Sequence, residues 1–185
     1  MRVIAGECRS MPLKTPTGKG TRPTSDKIKE TLFNILQNEI PGSCFADFFS
    51  GSGGIGIEAL SRGARKAYFV ENEKEALSCI GKNLQFTKLA DKAVVLKADA
   101  FSAVSRIYEK HLDIIFIDPP YGMGYDKEIL RLFASAKYVS KDTLLIVEEE
   151  RNADFSYASQ LGYTVAREKL YKTNKHVFLR IDHQA

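Results

Sequence analysis

The chain lacks the features of an exported or membrane-embedded protein. No apolar run approaches the roughly 20 residues that a membrane helix needs. The N-terminus carries Arg2 but no apolar signal core, so secretion is not expected. Cysteine is scarce: Cys8, Cys44 and Cys79 make an odd count without metal-type spacing. They read as reduced, buried thiols of a cytoplasmic protein, not as a disulfide framework or a zinc site. Histidine is scattered at His111, His176 and His183, which suggests neither a metal site nor histidine catalysis. No internal repeat, low-complexity tract or linker divides the chain. What is present, 185 residues with 44% hydrophobic and 27% charged content, suits one soluble domain with a substantial core.

The net charge of +4 is unevenly placed. Residues 1–30 hold seven basic groups (Arg2, Arg9, Lys14, Lys19, Arg22, Lys27 and Lys29) against Glu7, Asp26 and Glu30, so the remainder sums to zero. Basic N-terminal segments commonly meet phosphate backbones, though a solvated end carries the same signature. Met1–Ala5 and Met11–Lys14 read as a short hairpin or arm, and residues 15–23, rich in Pro, Gly and Thr, as loop. Thr24 or Ser25 can cap a helix whose apolar face is Ile28, Leu32, Ile35 and Leu36, ended by Pro41 and Gly42.

The stretch that organises the rest is Phe45–Gly56, where an apolar run breaks into Gly51, Gly53, Gly54 and Gly56 before Ile57 to Leu60 resume at helical spacing. This is strand, tight turn and helix, a site for a nucleotide-like ligand. Strands then alternate with helices. Strands are expected at 44–48, 66–70, 93–96, 113–117 and 143–147, and helices at about 55–61, 73–86, 101–108 and 127–136. Two adjacent strand-like runs, 163–170 and 176–181, suit an antiparallel hairpin. The expected fold is α/β: a doubly wound, mostly parallel seven-stranded sheet with an antiparallel C-terminal hairpin and a small N-terminal hairpin and helix. Residues 1–42 form the basic extension and 43–185 the main domain, as one unit.

The glycines alone fit a dinucleotide pattern, with Glu71 twenty residues after Gly51, and would support NAD. Asp47 argues otherwise. A carboxylate before the turn does not help to hold a pyrophosphate, but it can meet an ammonium group. The chain has no room for a separate substrate domain. A second motif, Asp118-Pro119-Pro120-Tyr121, follows strand four. Two prolines lack N–H groups, so the turn offers acceptors with little local competition, beside one carboxylate and one flat ring. That combination matches a planar base with an exocyclic amino group; a proline-rich turn is the plain alternative.

From Cys44 to Ile181 the chain resembles class I S-adenosylmethionine-dependent methyltransferases, with 47–56, Glu71, Asp99 and 118–121 in that order. More narrowly it resembles the RsmD family of bacterial 16S rRNA guanine-N2 methyltransferases. That match is carried by Arg22-Pro23-Thr24, Leu32-Phe33-Asn34, Gly51-Ser52-Gly53 and Glu58 to Gly63. The resemblance implies S-adenosyl-L-methionine as cofactor and S-adenosyl-L-homocysteine as product. It places Asp47, Phe49, Ser50, Gly51, Ser52, Gly53, Gly56, Glu71, Asn72, Asp99, Ala100 and Phe101 at the cofactor. In it, Asp47 meets the ammonium, Glu71 the ribose hydroxyls and Asp99 the adenine amino group. It assigns Asp118, Pro119, Pro120 and Tyr121 to catalysis, and Arg2, Arg9, Lys14, Lys19, Arg22 and Thr24 to RNA. The implied partner is 16S rRNA, free or in a partly assembled small subunit, met by a cytoplasmic monomer without a membrane or metal. The chain departs from the family pattern at Ser10 and Met11, where Gly and a basic residue are commoner, and at Lys172, where Gly is. Three other readings remain: an adenine-N6 or cytosine-N4 DNA methyltransferase, an NAD-dependent oxidoreductase, and a non-catalytic RNA-binding module.

Overall fold

Runs rich in Phe, Ile and Val, short and nearly free of polar residues, build the centre of the molecule. In the computed structural model, which describes residues 1–17 and 25–182, the strands are β1 (Cys44–Phe48), β2 (Lys66–Glu71), β3 (Ala93–Lys97), β4 (Ile114–Ile117), β5 (Leu144–Glu150), β6 (Tyr163–Leu170) and β7 (Asn174–Ile181). The sheet order is β3-β2-β1-β4-β5-β7-β6. The first five strands are mutually parallel, while β7 runs antiparallel to β5 and β6. Chain order reverses between β1 and β4, the switch point at which such sheets open a crevice. Both β1 and β4 are wholly buried, as parallel strands covered on both faces must be.

The helices are α1 (Asp26–Ile35), α2 (Gly54–Ser61), α3 (Lys74–Thr87), α4 (Ala100–Val104) and α5 (Tyr125–Phe133). One core layer, with Phe48, Ile115, Phe133 and Val147, lies between the sheet and α4 and α5. The other, with Phe33, Phe45, Ile57 and Phe116, lies under α1, α2 and the N-terminal segment.

Several details correct the sequence reading. α1 stops at Ile35, with Leu36 as its C-cap, and Ile40 closes a further turn by donating to the Leu36 carbonyl. Its inward face includes Lys29, which is fully buried, while Ile28 and Ile35 are only half-buried. α4 ends four residues earlier than expected, because the chain turns after Val104 so that Ile107 and Leu112 enter the core and Tyr108 points out. β5 runs three residues further than expected, through Glu150, because β7 pairs with it to that end.

The N-terminal hairpin has a single bridge, Arg2 to Pro12, and it is packed down, with Val3, Cys8 and Leu13 in the core. Ser10 there has φ 68°, a conformation glycine adopts without cost, which accounts physically for the family's commoner residue. Lys172 is accommodated without a positive φ.

Candidate active site

The site lies at the carboxyl ends of β1, β2, β4 and β5. β1 leaves the sheet through Phe49, at φ 62°, and the turn closes with Gly51 at φ 53° and Gly53 at φ 79°. Ser50 locks the turn, its hydroxyl donating to the Asp47 carbonyl at 2.6 Å, and Asn83 holds the Ser52 carbonyl at 2.9 Å. The glycines serve different ends. A Cβ on Gly51 would meet nothing within 4 Å, so this backbone faces open space. A Cβ on Gly56 would lie 2.4 Å from the Phe69 ring, so Gly56 is required by the close packing of α2 on the sheet.

Four carboxylates rim the crevice and differ in what they already hold. Asp47 is 1% exposed and accepts the Gly56 N–H at 3.0 Å. It therefore ties strand to helix, and burial raises its pKa to about 7, with Glu71 adding to the shift. Glu71 accepts three backbone N–H groups, those of Gly51 at 2.8 Å, Asn72 at 2.8 Å and Glu73 at 2.9 Å. Asp99 caps α4, accepting from the Ser102 N–H at 2.9 Å and its hydroxyl at 2.5 Å, which hold its pKa below the usual carboxylate range. Among the described residues, no donor meets the fourth carboxylate, that of Asp118. It is partly exposed, and every fully buried polar side-chain atom described has a partner. Its acceptor capacity is thus open to the crevice. Burial raises its pKa well above the carboxylate range, and Glu148, Asp47 and Glu149 add to that.

The proline turn lies beside the glycine turn because Asp118 donates its N–H to the Phe48 carbonyl at 3.3 Å. Pro119 is buried, Pro120 exposed, and Tyr121 38% exposed at the mouth. Ala100 is buried and Phe101 half-buried at the start of α4.

Three residues near the site escaped the sequence reading. Tyr125 lies between Phe49, ring centroids 6.5 Å apart and nearly parallel, and Phe101, 5.2 Å away edge-on. The expected helix start at 127 hid it. Glu148 accepts from the Tyr121 hydroxyl at 2.9 Å, Asn174 Nδ2 at 2.6 Å and His176 Nε2 at 2.8 Å. Glu149, on the opposite face of β5, accepts the Gly122 N–H at 3.2 Å, and burial raises its pKa to about 7. The one available signal was Glu148-Glu149-Glu150 directly after the apolar run of β5.

Of the residues assigned to RNA, Arg2 pairs with Asp26 at 3.1 Å, and Arg9 and Lys14 are exposed. Lys14 borders a cavity of about 700 Å³ between the hairpin and α3, shared with Lys82 and the exposed Phe86 and apart from the crevice. Lys19, Arg22 and Thr24 lie outside the described residues, as does His183. No group of His, Cys, Asp and Glu among the described residues could hold a metal ion. No described helix is long and apolar enough to cross a membrane.

Comparison with known proteins agrees with this architecture. The chain is 34% identical over 171 residues to Ribosomal RNA small subunit methyltransferase D of Haemophilus influenzae, covering 91% of this chain and 88% of that protein. To the protein of the same name from Escherichia coli K12 it is 36% identical over 150 residues, covering 81% of this chain and 75% of the other. The solved structure of the Escherichia coli yhhF protein superposes with a TM-score of 0.83 at 30% identity, over 100% of this chain and 99% of that one. The family model described as Conserved hypothetical protein 95 matches residues 1–180, and with these relatives it shows that the chain belongs to the RsmD family.

Proposed function

We propose that this protein transfers a methyl group from S-adenosyl-L-methionine to the N2 amino group of a guanine in 16S ribosomal RNA. The relatives' shared name supports small-subunit rRNA as the substrate. The observation that carries the reading is the Asp118 carboxylate, open to the crevice and unmet by any described donor, at the head of a turn whose two prolines supply acceptors only.

S-adenosyl-L-methionine is the cofactor, and when bound it supplies an electrophilic methyl group on a sulfonium. The residues present fit it. Open space over Gly51 admits a ligand against the backbone, and the carboxylates of Asp47, Glu71 and Asp99 suit a ligand bearing an ammonium, hydroxyls and an amino group. Asp47 acts from beneath the turn. Phe49, Phe101 and Tyr125 form the aromatic wall for the adenine. Asp118 and the Pro119 carbonyl accept the two hydrogens of the guanine amino group and aim its lone pair, and Tyr121 stacks on the base once it leaves its helix or loop. The methylated nitrogen then loses a proton, which Asp118 can accept. The exposed Arg9 and Lys14, with Lys19, Arg22 and Thr24, serve the RNA backbone, so the acids belong to the crevice and the basic excess to the N-terminal segment.

The test is transfer of labelled methyl from the cofactor to small-subunit rRNA and to small-subunit particles, followed by nucleoside analysis. N2-methylguanosine is expected. Label in adenosine or cytidine, or no transfer to either substrate, overturns the reading.

A further inference from the structure

Near its end β5 carries Glu148 and Glu149, adjacent carboxylates that point to opposite faces of the sheet, and both grip the loop carrying Tyr121. That loop has few ties of its own. Prolines 119 and 120 have no N–H to donate, and Gly122 and Gly124 sit at φ 70° and 72° with open space around them. From Asp118 to Gly122, the described ties to neighbouring strands are the Asp118 N–H to Phe48, the Tyr121 hydroxyl to Glu148 and the Gly122 N–H to Glu149. β5 supplies two of these three.

Glu148 is itself held from behind. Asn174 donates to the same oxygen as Tyr121, and His176 Nε2 donates to the other. His176 stands opposite Glu148 in the β5–β7 register, is fully buried, and is oriented in turn by the Tyr171 hydroxyl, 3.1 Å from Nδ1. Asn174 and His176 alone would staple β5 to β7. The third bond, to a ring 38% exposed at the mouth, reaches beyond the sheet.

We propose that Glu148 is a positioning residue for methyl transfer: anchored by His176 and Asn174, its carboxylate holds the Tyr121 hydroxyl and so sets the plane of the ring on which the target base stacks. This deepens the methyl-transfer reading and rests on it. A stacking platform on a loop rich in proline and glycine needs a rigid tether, and a buried carboxylate held by two side chains of the neighbouring strand provides one.

The test is a double-mutant cycle on Tyr121→Phe and Glu148→Ala, with kcat/KM measured on rRNA and S-adenosylhomocysteine affinity measured alongside. Each single variant is expected to lose about tenfold or more in kcat/KM, with S-adenosylhomocysteine affinity unchanged. The double variant is expected to be no worse than the poorer single. Should Glu148→Ala not fold, Glu148→Gln takes its place: its loss is smaller and must vanish when residue 121 is Phe. Penalties that multiply in the double variant, or wild-type turnover by the Glu148 variant, overturn the inference. Absence of transfer by the wild-type protein sinks the methyl-transfer reading instead, so the two failures are distinguishable.

Discussion

Two acidic centres, one on α2 and one at the crevice, differ in how their charges are met, and their contrast separates scaffold from chemistry. At the first, Glu58 of α2 is fully buried and saturated. It accepts the N–H groups of Ile4 at 2.8 Å and Ala5 at 3.0 Å, and pairs with Lys29 at 3.3 Å and Arg62 at 2.8 Å. Lys29 also reaches the Arg2 carbonyl at 2.6 Å, although burial pushes its ammonium below its ordinary pKa. Every charge there has a counterpart, and the result fastens the N-terminal hairpin to α2. At the second, no cation among the described residues is bonded to Asp47, Asp118 or Glu149, and burial pushes all three upward in pKa. Uncompensated carboxylates are costly to the folded state, and their concentration at one crevice is what a binding site requires.

If the contrast is sound, variants of the two centres should fail in different ways. Asp118→Ala should lower methyl transfer by about a hundredfold to a thousandfold. Its melting temperature should be unchanged or raised, and it should still bind S-adenosylhomocysteine. Normal turnover by purified Asp118→Ala would break the comparison.

Glu58→Ala should do the reverse. It should destabilise the fold by about 3–5 kcal/mol, because two cations and two N–H groups lose their acceptor. Methyl transfer per folded molecule should be retained; urea denaturation beside an active-site titration would show it.

Asp47→Asn sharpens the contrast through pH. An acid whose pKa is raised on folding keeps its proton where the unfolded chain has lost it. Stability therefore falls as pH rises from the ordinary carboxylate value to about 7, then levels off. The ligand-free protein should melt at lower temperature at pH 8 than at pH 5. Asp47→Asn should recover about 2–4 °C at pH 8 while weakening cofactor binding. A melting curve that rises steadily from pH 5 to 8 would contradict this.

The smallest effect is expected at Ser10, far from either carboxylate centre. Ser10→Gly should stabilise by up to about 1 kcal/mol, with activity untouched. A loss of stability would mean that the Ser10 side chain contributes something its backbone angle does not reveal.

Much of this was readable in advance where local rules govern. The apolar runs that became β1 and β4, the glycine break at 51–56 and the double proline after β4 announce themselves because steric limits on the backbone act over a few residues. Ser25 was a legible cap, and it accepts from the Ile28 N–H at 3.3 Å. Lys29 was not legible as a core residue. A lysine among helical polar positions reads as solvent-facing, and only Glu58, twenty-nine positions away, makes its burial tolerable. Glu148 and Tyr125 were missed for a related reason: each is defined by what lies across the crevice, and an expected boundary fell short of it.

The amino-acid sequence by itself determined the class of fold, the place of the glycine and proline turns and the acidic character of the strand ends, because periodicity, capping and φ restriction are short-range properties of the chain. Only the tertiary structure decided which acids are already satisfied and which remain open. That distinction depends on donors brought from 27 positions away for Tyr121 and Glu148, or from 54 for Ile4 and Glu58. A carboxylate's free energy is set by its surroundings after folding, and no local pattern carries that information.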